Sequence, residues 1–207
     1  VFGARGNIGR AIVEEGLVRG HTVDVVVRRG ALPPWSKPVE TMSGDVREAD
    51  FVSNLAMFHD AVISAVGPGP GDDPQMLVEA AHALLEGMRT AGRSRLIVVG
   101  GAGSLVIAPG VTLLQSPDFP PEQRQLARAH YDALEAYQQA WDIPWTYVSP
   151  PPNIAPGPRT GHYRIGTDAV LKDKNGVSRI SIEDFAVAII DELERAKYLK
   201  KRITVAY

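Results

Sequence analysis

The chain has 207 residues, 44% hydrophobic and 22% charged, with a formal charge of −2. That length suits one sizeable core, read here as a single domain over 1–207, and the near-neutral balance leaves no broad cationic field to draw nucleic acid. The complete lack of cysteine removes disulfides, thiolate metal sites and cysteine nucleophiles. No apolar run nears the ~18 residues that span a bilayer, so the expectation is a cytoplasmic protein with no membrane partner.

The chain opens VFGARGNIGR, with Gly3, Gly6 and Gly9 three apart. Only Val1 and Phe2 stand before the turn, too few for a full strand, and the expectation is that the natural chain begins earlier. A helix follows over 7–19, with Ile8, Ala11, Ile12, Gly16 and Leu17 as its apolar or small stripe. HTVDVVV (21–27) reads as a strand, VETM (39–42) as a weaker one, and 47–57 as a helix. Strand AVISAV (61–66), helix 74–91, strand RLIVV (95–99), helix 121–141 and strand WTYV (145–148) come next. A last helix over 182–197 opens with Ser181 and Asp184 at capping distance, and RITVAY (202–207) closes the chain as a strand.

This alternation predicts parallel strands with crossover helices on both faces, an α/β, Rossmann-like doubly wound sheet. Runs such as VVV and LIVV suit strands covered on both sides. Proline and glycine cluster at 67–74, 108–121 and 149–161. The first two clusters follow strands, where open sheets bind ligands. The third, with the polar stretch after it, marks 149–180 as a small C-terminal substrate-side excursion.

Glycines lack the Cβ that would keep a diphosphate from the main chain, and a following helix offers free N–H groups and a partial positive charge. Gly3, Arg5, Gly6, Asn7, Ile8 and Gly9 are therefore the candidate diphosphate turn. The end of the second strand decides the dinucleotide, since a free ribose 2′-hydroxyl calls for Asp or Glu and a 2′-phosphate for Arg. Here the strand runs into Arg28 and Arg29, while Asp24 lies too early and is expected to be solvated or near an edge. Arg5 is placed to form the other side of a guanidinium pocket. NADP(H) is favoured over NAD(H); without the glycine turn, two arginines at a strand end would read as an ordinary wet loop.

Four stretches, FGARGNIG at the start, SGDV (43–46), IVVGGAGSL (97–105), and WTYVSPPPNIAPGPRTGHYRIG (145–166) followed by SRISIEDFAVAIIDELE (178–194), cover nearly the whole chain in order. In these the chain resembles the atypical short-chain dehydrogenase/reductase proteins of the NAD(P)H-binding, NmrA-like type, and specifically the NADH-flavin reductases. The resemblance implies that Asp45 and Val46 lie against adenine, and that Ala65, Val66 and Gly67 pass the ribose and diphosphate. It further implies that 100–104, including Gly101, borders the nicotinamide, and that 149–153, with Ser149, Pro150 and Pro151, closes over nicotinamide and substrate. Two blander roles stay open: Asp45 capping the next helix, and the prolines ending a strand. Arg5 departs from the Thr usual in these relatives.

The wider superfamily pairs a serine with a tyrosine and a lysine four residues later, whose charge lowers the phenol pKa. Ser104 fits the serine place, but the comparable spacing is Tyr131 to Glu135, and a carboxylate opposes ionisation of a phenol. Reduction of a flavin or quinone asks only that two flat rings align in a dry contact. Ser104, Asn153 and Tyr163 are the candidates on the acceptor side, each with a structural alternative: a loop tie, a turn tie and a packed ring. His130 shares a helical face with Leu126, Leu134, Tyr137 and Trp141, and is expected as a partly buried, hydrogen-bonded core residue. No metal site is predicted.

The resulting expectation is an NADPH-dependent reductase without a Tyr/Lys dyad, using a small aromatic acceptor, with flavin as a passing substrate, working as monomer or homodimer. The alternative is a non-catalytic NAD(P)-sensing regulator of NmrA-like type. A nucleotide-sugar epimerase is set aside because little chain after 149 is left for a sugar lobe.

Overall fold

The protein is described by a computed structural model that covers residues 1–30, 32, 34–92 and 95–207. Val1 and Phe2 enter the sheet through isolated bridges rather than as a full strand. Phe2 pairs in parallel with Val26 on one side and Ser64 on the other, its N–H donating to Ile63 O at 2.9 Å and its carbonyl accepting from Ala65 N–H at 3.0 Å. So short a segment still sits mid-sheet, because both of its edges are paired.

From there the chain forms α1 (Asn7–Val18), β1 (Asp24–Val27), β2 (Glu40–Ser43), α2 (Ala49–Ala56), β3 (Ala61–Ser64), α3 (Met76–Ala91) and β4 (Arg95–Val99). The short β5 (Val106–Ala108) and β6 (Val111–Thr112) precede α4 (Arg124–Gln139) and β7 (Trp145–Ser149). The excursion holds β8 (Asn153–Ala155), β9 (Arg164–Gly166) and β10 (Arg179–Ser181), and α5 (Ile182–Arg195) and β11 (Lys201–Ala206) end the chain. Across the sheet the order is β2, β1, Val1–Phe2, β3, β4, β7, β11, β9, all parallel except β9. The direction of winding reverses between Phe2 and β3, so the crevice where ligands bind in such sheets lies above Gly3 and Ala65.

α1 and α5 cover one face, and α2, α3 and α4 the other. Ile12, Ile63, Ile97, Val148, Phe185 and Ile203 fill the first layer; Val62, Leu84, Leu96, Tyr137 and Tyr147 help fill the second. Strand residues alternate between these layers, which is why central strands read as unbroken apolar runs. Ser181 caps α5 as its spacing indicates, its Oγ accepting from Asp184 N–H at 3.0 Å.

Three expectations shift. The helix expected over 121–141 becomes a 3-10 turn at Pro121–Gln123 and then α4. Because α4 ends at Gln139, Trp141 leaves the buried face and is 79% exposed. The Gly- and Pro-rich segments contain short strands that local pattern does not reveal, since their partners are remote: β8 pairs with β10, and β9 with β11. Among the described residues no helix is long and apolar enough to cross a membrane.

Candidate functional site

The glycine turn has a closed inner wall and an open outer face. Gly3 has φ +78°, and a Cβ there would lie 2.3 Å from Ala65 O; one on Gly9 would lie 2.1 Å from Gly3 O. Only hydrogen fits at either place, so strand, turn and α1 close on one another through bare main chain. Outward, a Cβ on Gly6 would meet only Gly3 O at 3.4 Å, and one on Gly67 would meet nothing within 4 Å. No side chain caps α1 and no acidic residue stands in its first turn, so its leading N–H groups face the crevice without a side-chain partner among the described residues. This cradle fits a diphosphate.

At the end of β1, Arg5 folds back so that its Nη1 donates to Arg29 O at 2.5 Å. Arg5, Arg28 and Arg29 are thereby gathered at one turn. Beside it lies a cavity of about 470 Å³ whose wall includes Arg28, Arg29, Asp45, Arg47, Asp72 and Glu79. Arg28 pairs with Asp72 at 2.6 Å, and Arg47 with Asp45 at 2.7 Å and Glu79 at 3.2 Å. Asp45 also accepts from Arg47 N–H at 3.0 Å; the Arg47 guanidinium holds the Asp45 carboxyl below the usual range. It makes its own turn instead of capping α2, where the cap position is Glu48. Val46 points into the core. Asp24, expected solvated or near an edge, is hydrogen-bonded to His59 Nε2 at 2.8 Å.

The other end of the crevice is assembled from side chains. Ser64, Val98, Tyr147 and Arg202 stand at one level across β3, β4, β7 and β11, on the face toward α4. Arg202, 9% exposed, donates from Nη1 to Ser104 Oγ at 3.1 Å and from Nε to Asp168 Oδ1 at 3.0 Å. The Tyr147 hydroxyl donates to His130 O at 3.0 Å. A Cβ on Gly100 would fall 1.9 Å from the Tyr147 ring, and one on Gly101 2.9 Å from His130 Cγ. The loop after β4 is thus pressed onto Tyr147 and His130. His130 is half-buried, and its ring has no hydrogen bond among the described residues, unlike the satisfied core histidine expected; burial pushes its pKa down to about 4, so the imidazole is neutral at pH 7. Ser149, Pro150 and Pro151 are buried, and the Oγ atoms of Ser64 and Ser149 are buried without a partner among the described residues.

Asn153 is exposed, and its amide donates to Ser178 O at 2.9 Å, tying the excursion together. The Tyr163 hydroxyl donates to Asp191 Oδ2 at 2.5 Å, and its ring packs in the layer under α1 and α5. Burial and that carboxylate both raise the phenol pKa. The structure therefore does not bring Tyr163 to Ser104: the sheet lies between them. Tyr131 lies under the Arg128 guanidinium, 5.5 Å from ring centroid, while Glu135 is exposed. Sequence reasoning missed Arg47, Asp72 and Arg202. The available signal for Arg202 is its place as a lone inward cation in a mostly apolar strand; for Asp72 it is the place in the Gly- and Pro-rich cluster 67–74 that follows a strand.

Residues 3–193 match the family described as NAD(P)H-binding, and the chain belongs to that family. A Bacillus subtilis relative named "Uncharacterized protein YwnB" is 38% identical over 99% of this chain and 96% of its own length. Among solved structures, a Streptococcus pneumoniae protein called a "putative NADH-flavin reductase" superposes with TM-score 0.87 at 33% identity, covering 99% of this chain and 96% of that one. A Bacteroides thetaiotaomicron "putative epimerase" gives 0.90 at 36% identity, covering 100% and 94%. The family match makes the chain NAD(P)H-binding, and its fold is of the Rossmann-like, oxidoreductase-like type.

Proposed function

We propose that the protein is a reductase that uses NADPH to reduce a flavin- or quinone-like acceptor. The carrying observation is that Arg28 and Arg29 stand in the wall of a cavity beside an open glycine turn and an uncapped helix, with Arg5 tied to the Arg29 carbonyl, a donor set suited to a 2′-phosphate and a diphosphate together. The nicotinamide supplies the hydride when bound.

The chain's own part is binding, alignment and drying. Gly101 and its neighbours, with Ser149, Pro150 and Pro151, wall the ring site. Asp45 borders the adenosine cavity, and Ala65 to Gly67 line the diphosphate path. Ser104 Oγ takes a hydrogen bond from the Arg202 guanidinium, which leaves its own proton for a ring atom in the crevice. Asn153 stands at the rim and fixes it. Tyr131 and Glu135 supply no dyad, which favours an acceptor that needs ring contact more than a phenolic proton. The name carried by the Streptococcus relative agrees with this reading in the flavin acceptor, while the nucleotide it names is NADH.

Steady-state and stopped-flow oxidation of NADPH with FMN, riboflavin and small quinones tests it. Turnover with at least one acceptor is expected. Tight nucleotide binding with no turnover for any of them would replace the reductase with a dinucleotide-sensing protein.

A further inference from the structure

We infer that Asp72 determines how strongly the site prefers a phosphorylated over an unphosphorylated adenosine ribose, by serving as a resident carboxylate that a 2′-phosphate must displace from Arg28. The inference rests on the cofactor reading above and refines it.

Arg28 closes β1, while Asp72 lies 44 residues on, in the loop that leaves β3. They meet across the cavity, Arg28 Nη2 to Asp72 Oδ2 at 2.6 Å. The same oxygen accepts from Gly69 N–H at 3.1 Å, and Gly71, with φ +82°, turns the loop so that the carboxylate faces β1. The Arg28 guanidinium holds the Asp72 carboxyl below its usual range, so it is charged at neutral pH. Its other oxygen, Oδ1, takes no hydrogen bond among the described residues.

These contacts treat the two ribose chemistries differently. A free 2′-hydroxyl can donate to Asp72 Oδ1 while the pair with Arg28 stays intact, which provides the acidic partner that β1 itself lacks. A 2′-phosphate directed at Arg28 meets a negative charge already there, and must turn Asp72 away and open the Gly69 contact. Arg47 cannot take over freely, since Asp45 and Glu79 hold it. Arg29, without an ion pair among the described residues, attracts the phosphate from the other side. Asp72 therefore narrows the gap that the arginines create.

Calorimetric titration with 5′-AMP and 2′,5′-ADP, which carry the ribose chemistry without nicotinamide, tests this on the wild type, Asp72→Asn, Arg28→Gln and the double variant. NADH and NADPH are titrated alongside. Asn keeps an oxygen for Gly69 N–H while losing the charge. Asp72→Asn is expected to tighten 2′,5′-ADP about fivefold, the scale of one exposed ion pair, with 5′-AMP equal or weaker, and the gain is expected to vanish in the double variant. An unchanged ratio of the two nucleotides in Asp72→Asn, or an equal gain in the Arg28→Gln background, overturns the inference. Should Asn disturb the loop, Asp72→Ser gives the same readout. If the wild type binds none of the four nucleotides, the cofactor reading falls too; if it binds them and the ratio does not move, the inference alone falls.

Discussion

The glycine-turn end of the crevice and its Ser104 end sit on the same sheet, yet they are built from opposite materials. At Gly3, Gly6 and Gly9 the site is defined by atoms that are missing, within nine residues of continuous chain. Around Ser104 it is defined by polar atoms brought from the β4 loop, α4, β7, β11 and the excursion, with partners as distant as Ser104 and Arg202. The first end is sensitive to any added carbon and the second to any removed hydrogen bond. One is rigid by exclusion, the other by pairing.

Substitutions can break or sharpen that contrast, and the largest effect is expected at Gly9. Its Cβ would lie 2.1 Å from Gly3 O, a backbone atom that cannot swing aside. Gly9→Ala is expected to cost roughly 3 kcal/mol of stability and to abolish nucleotide binding, read by denaturant titration and calorimetry.

Next comes Asp184, fully buried, which accepts from Thr160 N–H at 2.8 Å, Gly161 N–H at 2.7 Å and the Tyr207 hydroxyl at 2.8 Å and so anchors the excursion. Asp184→Ala would strand these donors, at roughly 2–3 kcal/mol. Burial alone would raise this carboxyl's pKa, but the hydrogen bonds outweigh it and hold the pKa below the ordinary 3.8. A group depressed on folding stabilises above its unfolded pKa, and that stabilisation is lost as pH falls below about 4. Denaturation curves in acid are therefore expected to be steeper for wild type than for Asp184→Asn.

A smaller change is expected at the Ser104 end. Ser104→Ala removes one donor and leaves Arg202 with Asp168, so turnover is expected to fall about tenfold with NADPH affinity held within about twofold. The smallest is Tyr163→Phe. It loses the bond to Asp191 on the far side of the sheet, costing about 1 kcal/mol of stability with turnover within about twofold. If Tyr163→Phe cut turnover as deeply as Ser104→Ala, the division of roles between the two faces would be wrong.

The same contrast explains what could be read from the sequence. A strand covered on both sides must be apolar along its length, so VVV, LIVV and AVIS announced the sheet, and their alternation with helices announced its winding. The glycine turn is a local object and was legible at once, as was the Ser181 cap. Ion pairs such as Arg28 with Asp72 and Arg202 with Asp168 join residues 44 and 34 apart, and nothing in either neighbourhood marks its partner. Trp141 misled because the helical face was extended past the point where α4 stops. Tyr163 misled because a residue's nearness to the substrate stretch in sequence does not say which face of the sheet its ring will take; Asp191 on α5 decided that.

The central claim is that guanidinium groups at the end of β1, acting with the bare glycine turn, select a nicotinamide dinucleotide bearing a 2′-phosphate. Calorimetric titration of NADPH and NADH into the wild type and Arg28→Ala tests it most directly. The expected result is tighter binding of NADPH by the wild type and loss of that preference in the variant; equal affinities in the wild type, or a preference that survives in Arg28→Ala, would contradict it.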